Sequence, residues 1–488
     1  MSPDIKRNLL LYSLLVGFFG CVTWLIILAG QDLHPRSTRV LPVAESISSH
    51  PPTMPAAGLS GHFFQNLKDP LSLLLLQIMT IIFFCRLFGG LTARIGQPPV
   101  VGEMIAGIVL GPSVLGLIFP GFSALLFPKA SLGNLQFLSQ IGMIFFMFII
   151  GMEVNIDKLK NKAHNAVVIS HASIVFPYCL GVAAAYFLYE PFAPANANFT
   201  AFALFIGIAV SITAFPVLAR ILQERGISRT PLGAIALTCA AFDDVTGWCI
   251  LAAVVAIVKA GNISSALFTI LFSALFILIM MFGVRPMLKK ITGNNTISPL
   301  LNKKTVIIIF LVLLFSAFTS EMIGIHALFG AFLSGVIMPK DIEIRKLLTE
   351  KVEDVSLLML LPLFFALTGL RTEIGLLNEG GLWLTFLLVL LVAVLGKFGG
   401  SAAAAKLTGQ SWTDAFSIGA LMNTRGLMEL IVLNIGYDLG ILSPSLYAIF
   451  VLMALATTFM TGPLLDAIDF VSRKRASASN KNLHTTAE

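Results

Sequence analysis

The sequence predicts an all-α protein that crosses a membrane many times. Of its 488 residues, 57% are apolar and only 12% are charged, whereas soluble domains carry about 25% charged residues. The apolar residues form runs of roughly 20, the length that one helix needs to cross a bilayer, and the charges lie in short clusters between them. A soluble fold is thereby excluded. The net charge of +7 could suggest a nucleic-acid partner, but the scattered distribution of the charges indicates that they orient the helices in the membrane.

Apolar runs bounded by charged residues, Pro or Gly predict about fourteen membrane-spanning helices. In chain order these predicted helices occupy residues 9–30, 71–90, 100–118, 135–152, 166–188, 202–222, 231–259, 266–284, 305–320, 323–338, 355–370, 382–407, 414–433 and 443–467.

The first element, residues 1–30, is predicted to be an accessory N-terminal helix. Lys6 and Arg7 precede its apolar run, so a cleaved signal peptide is the alternative. The run is long for the apolar region of a signal peptide, which favours a retained helix that anchors the chain. Residues 31–70 follow as an external loop, which their Pro and Ser content predicts to be flexible.

Two halves of six helices follow, and each is predicted to be one repeat of a transporter. The first repeat, with helix eight as its connector, spans residues 71–284, and the second spans residues 305–467. A cytoplasmic loop at 285–304 separates them, and a cytoplasmic tail occupies residues 468–488. Duplication with inverted topology is common in secondary transporters, although these halves share no strong sequence identity.

The distribution of Lys and Arg predicts the orientation of the helices. With both termini in the cytoplasm, 24 of these residues fall in cytoplasmic connections and 6 on the other side. Basic residues concentrate in cytoplasmic loops, so this split supports a chain whose connections lie alternately on the cytoplasmic and the external side. The addition or loss of one central helix would destroy this pattern. The two remaining basic residues, Lys397 and Arg425, lie inside predicted helices.

Two adjacent carboxylates, Asp243 and Asp244, interrupt the apolar run of predicted helix seven in AAFDDVTGW. A carboxylate at membrane depth is costly and marks a functional site. Adjacent helical residues point about 100° apart, so one can face an aqueous cavity while the other meets a neighbouring helix. Two like charges so close resist simultaneous ionisation, which makes proton uptake compete with cation binding. A helix end at the interface is the alternative, but the apolar run continues to Val258.

A basic residue, Lys397, lies far from either end of predicted helix twelve, in LLVLLVAVLGKFGG. An ammonium group at this depth generally needs an acidic partner, and Asp243 and Asp244 are the candidates. The alternative is that the side chain snorkels towards the cytoplasmic end of the helix.

Polar residues interrupt two of the predicted helices at matching positions, the fifth helix of each repeat. In SITAFPVLAR of helix six, Pro216 removes a backbone donor, and Ser211 and Thr213 can bond the freed groups. Broken helices at matching positions point to an ion site at the membrane midplane, because exposed carbonyls and helix ends replace lost hydration. In LMNTRGLMEL of helix thirteen, the interrupting residues are Asn423, Thr424, Arg425 and Gly426.

Two further carboxylates, Glu103 and Glu429, are predicted to have structural roles. Glu103 lies near the start of helix three, where it can stabilise the helix dipole, and substrate binding is the alternative. Glu429 follows Arg425 by four residues, the spacing of an ion pair within one helix. No GxGxxG fingerprint and no metal-ligand spacing occur, so no cofactor is expected.

Several strings of the sequence, in order along residues 71–467, carry a family resemblance. They include IGQPPVVGEMIAGIVLGPS, FFMFIIGMEVN, SITAFPVLARIL, AAFDDVTGW, LPLFFALTGL and LMNTRGLMELIVLNIG. In these strings the chain resembles monovalent cation:proton antiporters of the second cation:proton antiporter family, and several of them also resemble plant cation/proton exchangers.

The resemblance implies a homodimer in which a mobile core, with two crossed broken helices, moves past a scaffold in an elevator-like cycle. It implies that Asp244 binds the monovalent cation or a proton, with Thr213 and Ser211 at the helix-six break. Asp243 would pair with Lys397 when the cation is absent. The Asp-Asp pair implies electrogenic exchange of Na+ for H+, the plant-like strings leave K+ as the alternative cation, and a bacterial inner membrane is the expected location.

Two other function classes are alternatives to an antiporter. Intramembrane aspartyl proteases also place two carboxylates in the bilayer, and Tyr437 and Asp438 form a YD pair. There is no GxGD partner, however, and adjacent Asp243 and Asp244 cannot oppose each other across two helices, so an enzyme is not expected. A sensor that does not transport would not need the intact set of two aspartates and a lysine.

Overall fold

The computed structural model contains only helices and their connections in the residues that it describes. Most of the predicted external loop (36–68), the basic residues Lys158, Lys160 and Lys162, and part of the predicted cytoplasmic loop (294–302) lie outside these residues. The described residues are 3–35, 69–153, 163–195, 197–228, 230–260, 263–293, 303–339, 348, 352, 355–378 and 380–485.

The helices are numbered here by the predicted helix whose place each one takes, and broken helices have parts a and b. Their bounds are α1 Pro3–Gly30, α2 Pro70–Arg94, α3 Pro99–Leu110, α4 Leu132–Glu153, α5 Ala163–Phe192, α6a Phe199–Ala209, α6b Phe215–Glu224, α7 Pro231–Ala260, α8 Ile263–Leu278, α9 Lys303–Ile323, α10 Ala327–Val336, α11 Leu361–Leu370, α12a Leu382–Val394, α12b Gly400–Leu407, α13a Trp412–Met422, α13b Leu427–Asp438 and α14 Pro444–Thr485. Three π-helical turns adjoin them, at Ile279–Val284, Ser356–Leu360 and Leu395–Gly399.

The prediction of an all-α membrane fold is confirmed. Within the described residues, eleven helical segments are long and apolar enough to cross a membrane. The other three predicted spans correspond to helix six, helix thirteen and α10. The structure divides helices six and thirteen into halves, and α10 has only 10 residues. The count of fourteen spans therefore stays a prediction.

The end of helix three differs from the prediction. Helix α3 stops at Leu110 rather than at residue 118, and Gly111 has an extended backbone. The reason is Pro112, because the residue before a proline is driven out of the helical conformation. Short helices at Leu115–Ile118 and Pro120–Leu126 then lead into α4.

Two predicted connections are partly helical instead. The predicted loop at 285–304 begins with a helix at Arg285–Gly293, and the predicted tail at 468–488 is helical as far as Thr485. After Pro463 no Gly or Pro occurs in α14 that would end the helix. A break in hydropathy marks where a helix becomes polar, not where it ends.

The helices pack into two bundles that interleave the two predicted repeats. Helices α2, α3, α4, α9, α10 and α11 pack together and form what we call the companion bundle. Helix α1 and helices five, six, seven, twelve, thirteen and fourteen form the other, which we call the site bundle. Helix α8 contacts α7 in the site bundle and α9 in the companion bundle. Each bundle thus takes three helices from each predicted repeat.

Candidate functional site

The breaks of helices six and thirteen contact each other inside the site bundle. The backbone N–H of Ala214 donates to the Thr424 carbonyl at 3.1 Å, and Thr213 Oγ1 lies within hydrogen-bond distance of the Met422 carbonyl, at 3.1 Å. Breaks in membrane helices are tolerated when the freed backbone groups are bonded elsewhere in the protein. The two breaks therefore form one polar region among apolar helices.

Pro216 does not lie in the helix-six break, which occupies residues 210–214 between α6a and α6b. Pro216 is the second residue of α6b. Proline is favoured in the first turn of a helix, because its missing N–H would have no helical partner there. The prediction that Pro216 interrupts the helix is therefore wrong: it begins the second half.

Two buried basic side chains bond the carbonyl groups that the helix-six break exposes. The guanidinium of Arg425 donates to the carbonyl of Ala209 at 2.7 Å and to that of Val210, and Lys397 Nζ donates to the carbonyl of Ser211. The C-terminal end of a helix carries partial negative charge, which favours cations. Lys397 and Arg425 thus stabilise the end of α6a.

Arg425 also holds its own break in place. It lies 3.3 Å from Glu429 Oε2, at the spacing that the sequence predicts for an ion pair, and both side chains are buried. Its backbone N–H donates to Thr458 Oγ1 at 3.2 Å, and that hydroxyl donates to the Arg425 carbonyl at 2.7 Å. The helix-thirteen break is therefore attached to α6a, to α13b and to α14.

The carboxylate of Asp243 accepts four hydrogen bonds. Ser170 Oγ donates to Oδ1 at 2.6 Å. Ser173 Oγ and Thr213 Oγ1 donate to Oδ2 at 2.7 Å each, and Lys397 Nζ lies 2.9 Å from the same oxygen. The side chains of Asp243 and Lys397 are both 0% exposed. A buried ion pair is tolerated when further hydrogen bonds satisfy its remaining polar atoms, and Asp243 meets that condition.

The neighbouring carboxylate, Asp244, has a different environment. Its side chain is buried, and its Oδ1 has no hydrogen-bond partner in the part of the chain that the structure describes. The carboxylate lies near the backbone of Phe215, the first residue of α6b. In the adjacent break, Asn423 is fully buried and neither polar atom of its amide has a partner among the described residues. Unpartnered buried polar atoms are costly, so a bound cation would stabilise this region.

Three residues of the site were not singled out by the sequence: Ser170, Ser173 and Pro177, all on α5. The two serines lie three residues apart, so they share one face of the helix. The available signal was two hydroxyls, four and seven residues before a proline, inside predicted helix five. The hydroxyls are neutral, however, and neutral polar residues are common in membrane helices, so the signal is weak.

Glu103 lies on α3, a helix of the companion bundle. It is the fifth residue of that helix, no acidic residue occupies the first turn, and no side chain caps the N-terminus. Because the dipole effect is largest within the first turn, Glu103 lies just beyond the positions where it is strongest, and its predicted interaction with the helix dipole stays a prediction. Among the described residues, no group of three or more His, Cys, Asp and Glu side chains could hold a metal ion.

Comparison with known proteins gives the family of the chain. Residues 79–468 match the family described as sodium/hydrogen exchanger, transmembrane. The Na(+)/H(+) antiporter NhaS4 of Synechocystis is 44% identical over 401 residues, which cover 82% of this chain and 98% of the relative. Cation/H(+) antiporter 17 of Arabidopsis thaliana is 39% identical over 88% of this chain, and K(+)/H(+) antiporter 1 of Saccharomyces cerevisiae is 33% identical over 87%.

The coverage of these relatives differs. The matches cover 52% of the plant protein and 49% of the yeast protein, so the chain spans about half the length of those two relatives. The sodium proton antiporter MjNhaP1 from Methanocaldococcus jannaschii has the same fold, with a TM-score of 0.61 at 15% sequence identity, over 82% of this chain and 97% of that one. The family match and the nearly full-length relative confirm the resemblance: the chain belongs to the transmembrane sodium/hydrogen exchanger family, whose members are integral, multi-pass membrane transporters and not enzymes.

Proposed function

We propose that the chain is a secondary antiporter that exchanges a monovalent cation, preferably Na+, for H+, and that Asp244 is the carboxylate on which cation and proton alternate. The observation that carries this proposal is the contrast between two adjacent carboxylates. Both oxygens of Asp243 accept hydrogen bonds, whereas a buried oxygen of Asp244, near the start of α6b, has no partner among the described residues.

The contrast between Asp243 and Asp244 explains why the transport of the cation would be coupled to that of the proton. Lys397 neutralises Asp243, which leaves Asp244 as a buried carboxylate that is costly to keep charged without a partner. Either a cation or a proton removes that cost, and the two compete for the same oxygen. Asn423 and the carbonyls of the breaks are the neutral groups that would replace part of the hydration shell of the cation.

The packing supports an elevator-like cycle. The site bundle holds the breaks, the two aspartates and Lys397, and α8 connects it to the companion bundle. In this proposal the site bundle moves across the membrane while the companion bundle stays fixed and forms a homodimer. We place both termini in the cytoplasm and the protein in the inner membrane of a bacterium. The interleaving of residues 71–284 and 305–467 in both bundles supports their description as two inverted repeats.

The second carboxylate bears on the charge balance of transport. Asp243 is paired with Lys397 in the structure; if it takes up a proton as well as Asp244 while the site bundle returns without the cation, two protons exchange for one cation. One net charge then crosses the membrane, and its movement is worth about 2.3 kcal/mol per 100 mV. Exchange would therefore be electrogenic and would respond to the membrane potential.

Reconstituted vesicles test this proposal. We expect a pulse of NaCl to drive a proton flux, which Asp244→Asn abolishes because a neutral amide cannot hold a cation or take up a proton. Asp469→Asn, an exposed carboxylate on α14, is the matched control and should transport like the unmodified protein. Full flux in Asp244→Asn, or no cation-dependent flux in NaCl or KCl, would refute the proposal.

K+ is the second candidate substrate. It is supported by the similarity to the yeast relative, which is named a K(+)/H(+) antiporter. The same vesicles distinguish the two cations when the membrane potential is clamped. A larger proton flux in KCl than in NaCl at equal concentration would replace Na+ by K+ as the preferred substrate.

A further inference from the structure

Helix α5 contains a buried proline, Pro177, four residues after Ser173. A proline has no backbone N–H and its ring crowds the carbonyl four residues earlier, so the Ser173 carbonyl has no helical partner. This carbonyl accepts a hydrogen bond from Lys397 Nζ at 2.7 Å. The carbonyl that Pro177 leaves free in α5 is thus bonded by the ammonium group of Lys397 in helix twelve.

Glycines of helix twelve bring Lys397 to this position. A Cβ atom at Gly396 would lie 2.8 Å from the Cβ of Pro177, and one at Gly400 would lie 2.8 Å from Phe176 Cδ1. Such distances are too short for real Cβ atoms, so only glycine allows this approach. The contact of Gly396 with Pro177 places the next residue, Lys397, beside the carbonyl that the proline frees.

We propose that Pro177 is a positioning residue for Lys397. The ammonium has Asp243 Oδ2 at 2.9 Å and the carbonyls of Ser173 and Ser211 as acceptors. When a cation enters the site and Lys397 releases Asp243, the two carbonyls remain and hold the ammonium. The Ser173 carbonyl, which Pro177 keeps available, thereby lowers the cost of the cation-bound state. This role rests on the proposed function, but the coupling of Pro177 to Lys397 can be measured without transport.

The substitution Pro177→Ala tests the role in transport. Alanine restores an N–H that can donate to the Ser173 carbonyl, so this N–H competes with Lys397 for that acceptor. We expect the KM for Na+ to rise about ten-fold, the effect of one hydrogen bond to a charged group, with a smaller change in kcat. Pro191→Ala is the matched control: it lies in the same helix, and the carbonyl it frees belongs to Phe187, whose side chain is 77% exposed. Its kinetics should equal those of the unmodified protein.

A double-mutant cycle separates positioning from a merely structural effect. Pro177→Ala is combined with Asp243→Asn and Lys397→Met, which replace the ion pair by neutral side chains of similar size. If Pro177 acts through Lys397, the change in melting temperature caused by Pro177→Ala is smaller in this background than in the unmodified protein. The same cycle with Pro191→Ala should give additive changes.

A second pair of variants is available if Pro177→Ala does not fold. Gly396→Ala pushes helix twelve away from Pro177, whereas a Cβ at Gly399 meets nothing within 4 Å. We expect Gly396→Ala, but not Gly399→Ala, to raise the KM for Na+. An unchanged KM together with additive melting temperatures would overturn the positioning role. Absence of cation-dependent flux in the unmodified protein would refute the proposed function instead, and the melting cycle would still decide the coupling.

Discussion

Arg371 Nη1 lies 3.1 Å from Asp438 Oδ1, and this ion pair joins the end of α11 in the companion bundle to the end of α13b in the site bundle. The guanidinium also donates to Asn434 Oδ1 at 3.0 Å and to Gln136 Oε1 at 2.8 Å. Gln136 Nε2 donates to Asp438 Oδ2 at 3.0 Å, and the guanidinium lies 5.7 Å from the centre of the Tyr437 ring. Arg371 and Asp438 therefore belong to a polar network that joins the two bundles, and they are not an isolated pair.

This network predicts a measurable loss of stability in Arg371→Ala. The arginine side chain is only 16% exposed, and its removal leaves three polar partners without their donor. We expect a loss of about 1–3 kcal/mol, the cost of leaving partly buried groups unpaired, measured by thermal unfolding in detergent. Arg473→Ala, an exposed arginine on α14, is the control and should change stability by less than about 0.5 kcal/mol. Equal melting temperatures for both variants would contradict the prediction.

A second ion pair between the bundles, that of Lys259 with Glu321, is expected to contribute little to stability. Lys259 Nζ lies 3.6 Å from Glu321 Oε1, and the two side chains are 35% and 48% exposed. Exposed pairs at such a distance contribute about 0–1 kcal/mol, because water and salt screen them. Lys259→Ala should therefore lower stability much less than Arg371→Ala, and added salt should reduce the small difference further. A larger loss in Lys259→Ala would show that the longer pair is the stronger one.

The charged residues of the site can be predicted from the sequence, whereas its neutral partners cannot. Asp243, Asp244, Lys397 and Arg425 stand out in the sequence because charged side chains are rare and costly in membrane helices. Ser170 and Ser173 carry no charge, so only the structure shows that they bond Asp243. The partners in the contact between the bundles are far apart in the chain, and no spacing rule connects them.

The attachment of Arg425 to three elements predicts that Arg425→Ala is severely destabilising. It leaves the Ala209 and Val210 carbonyls without their donor and Glu429 as a buried charge without its partner. Removing one member of a buried ion pair costs about 3–5 kcal/mol. The double variant Arg425→Met with Glu429→Gln removes both charges and should recover part of that loss in the same unfolding measurement. Equal stability of the single and double variants would argue against the ion pair.

Arg425→Lys should also be poorly tolerated. The planar guanidinium reaches two carbonyls and a carboxylate at once, whereas an ammonium is a compact charge without that fork. We expect the lysine variant to lie between the alanine variant and the unmodified protein in melting temperature. A lysine variant as stable as the unmodified protein would show that the position requires only a positive charge.

Substitutions of Thr213 can separate the role of its hydroxyl from the role of its size and shape. The hydroxyl lies within hydrogen-bond distance of both Asp243 Oδ2, at 2.7 Å, and the Met422 carbonyl, at 3.1 Å. A hydroxyl has one proton to donate, so it can bond only one of these acceptors at a time. In one arrangement the hydroxyl bonds the ionised carboxylate of Asp243. In the other it bonds the Met422 carbonyl at the helix-thirteen break.

Valine replaces the hydroxyl of Thr213 by a methyl group of similar size, so Thr213→Val removes both arrangements, whereas Thr213→Ser keeps them. We expect Thr213→Val to lose at least about ten-fold in kcat/KM for Na+, the effect of leaving a buried charged acceptor without one donor, and Thr213→Ser to transport nearly normally. Thr457→Val is the matched control, because among the described residues that buried hydroxyl bonds the carbonyls of Met453 and Ala454, both in its own helix. Equal losses in Thr213→Val and Thr457→Val, or no rescue by serine, would assign the effect to packing and not to the bond with Asp243.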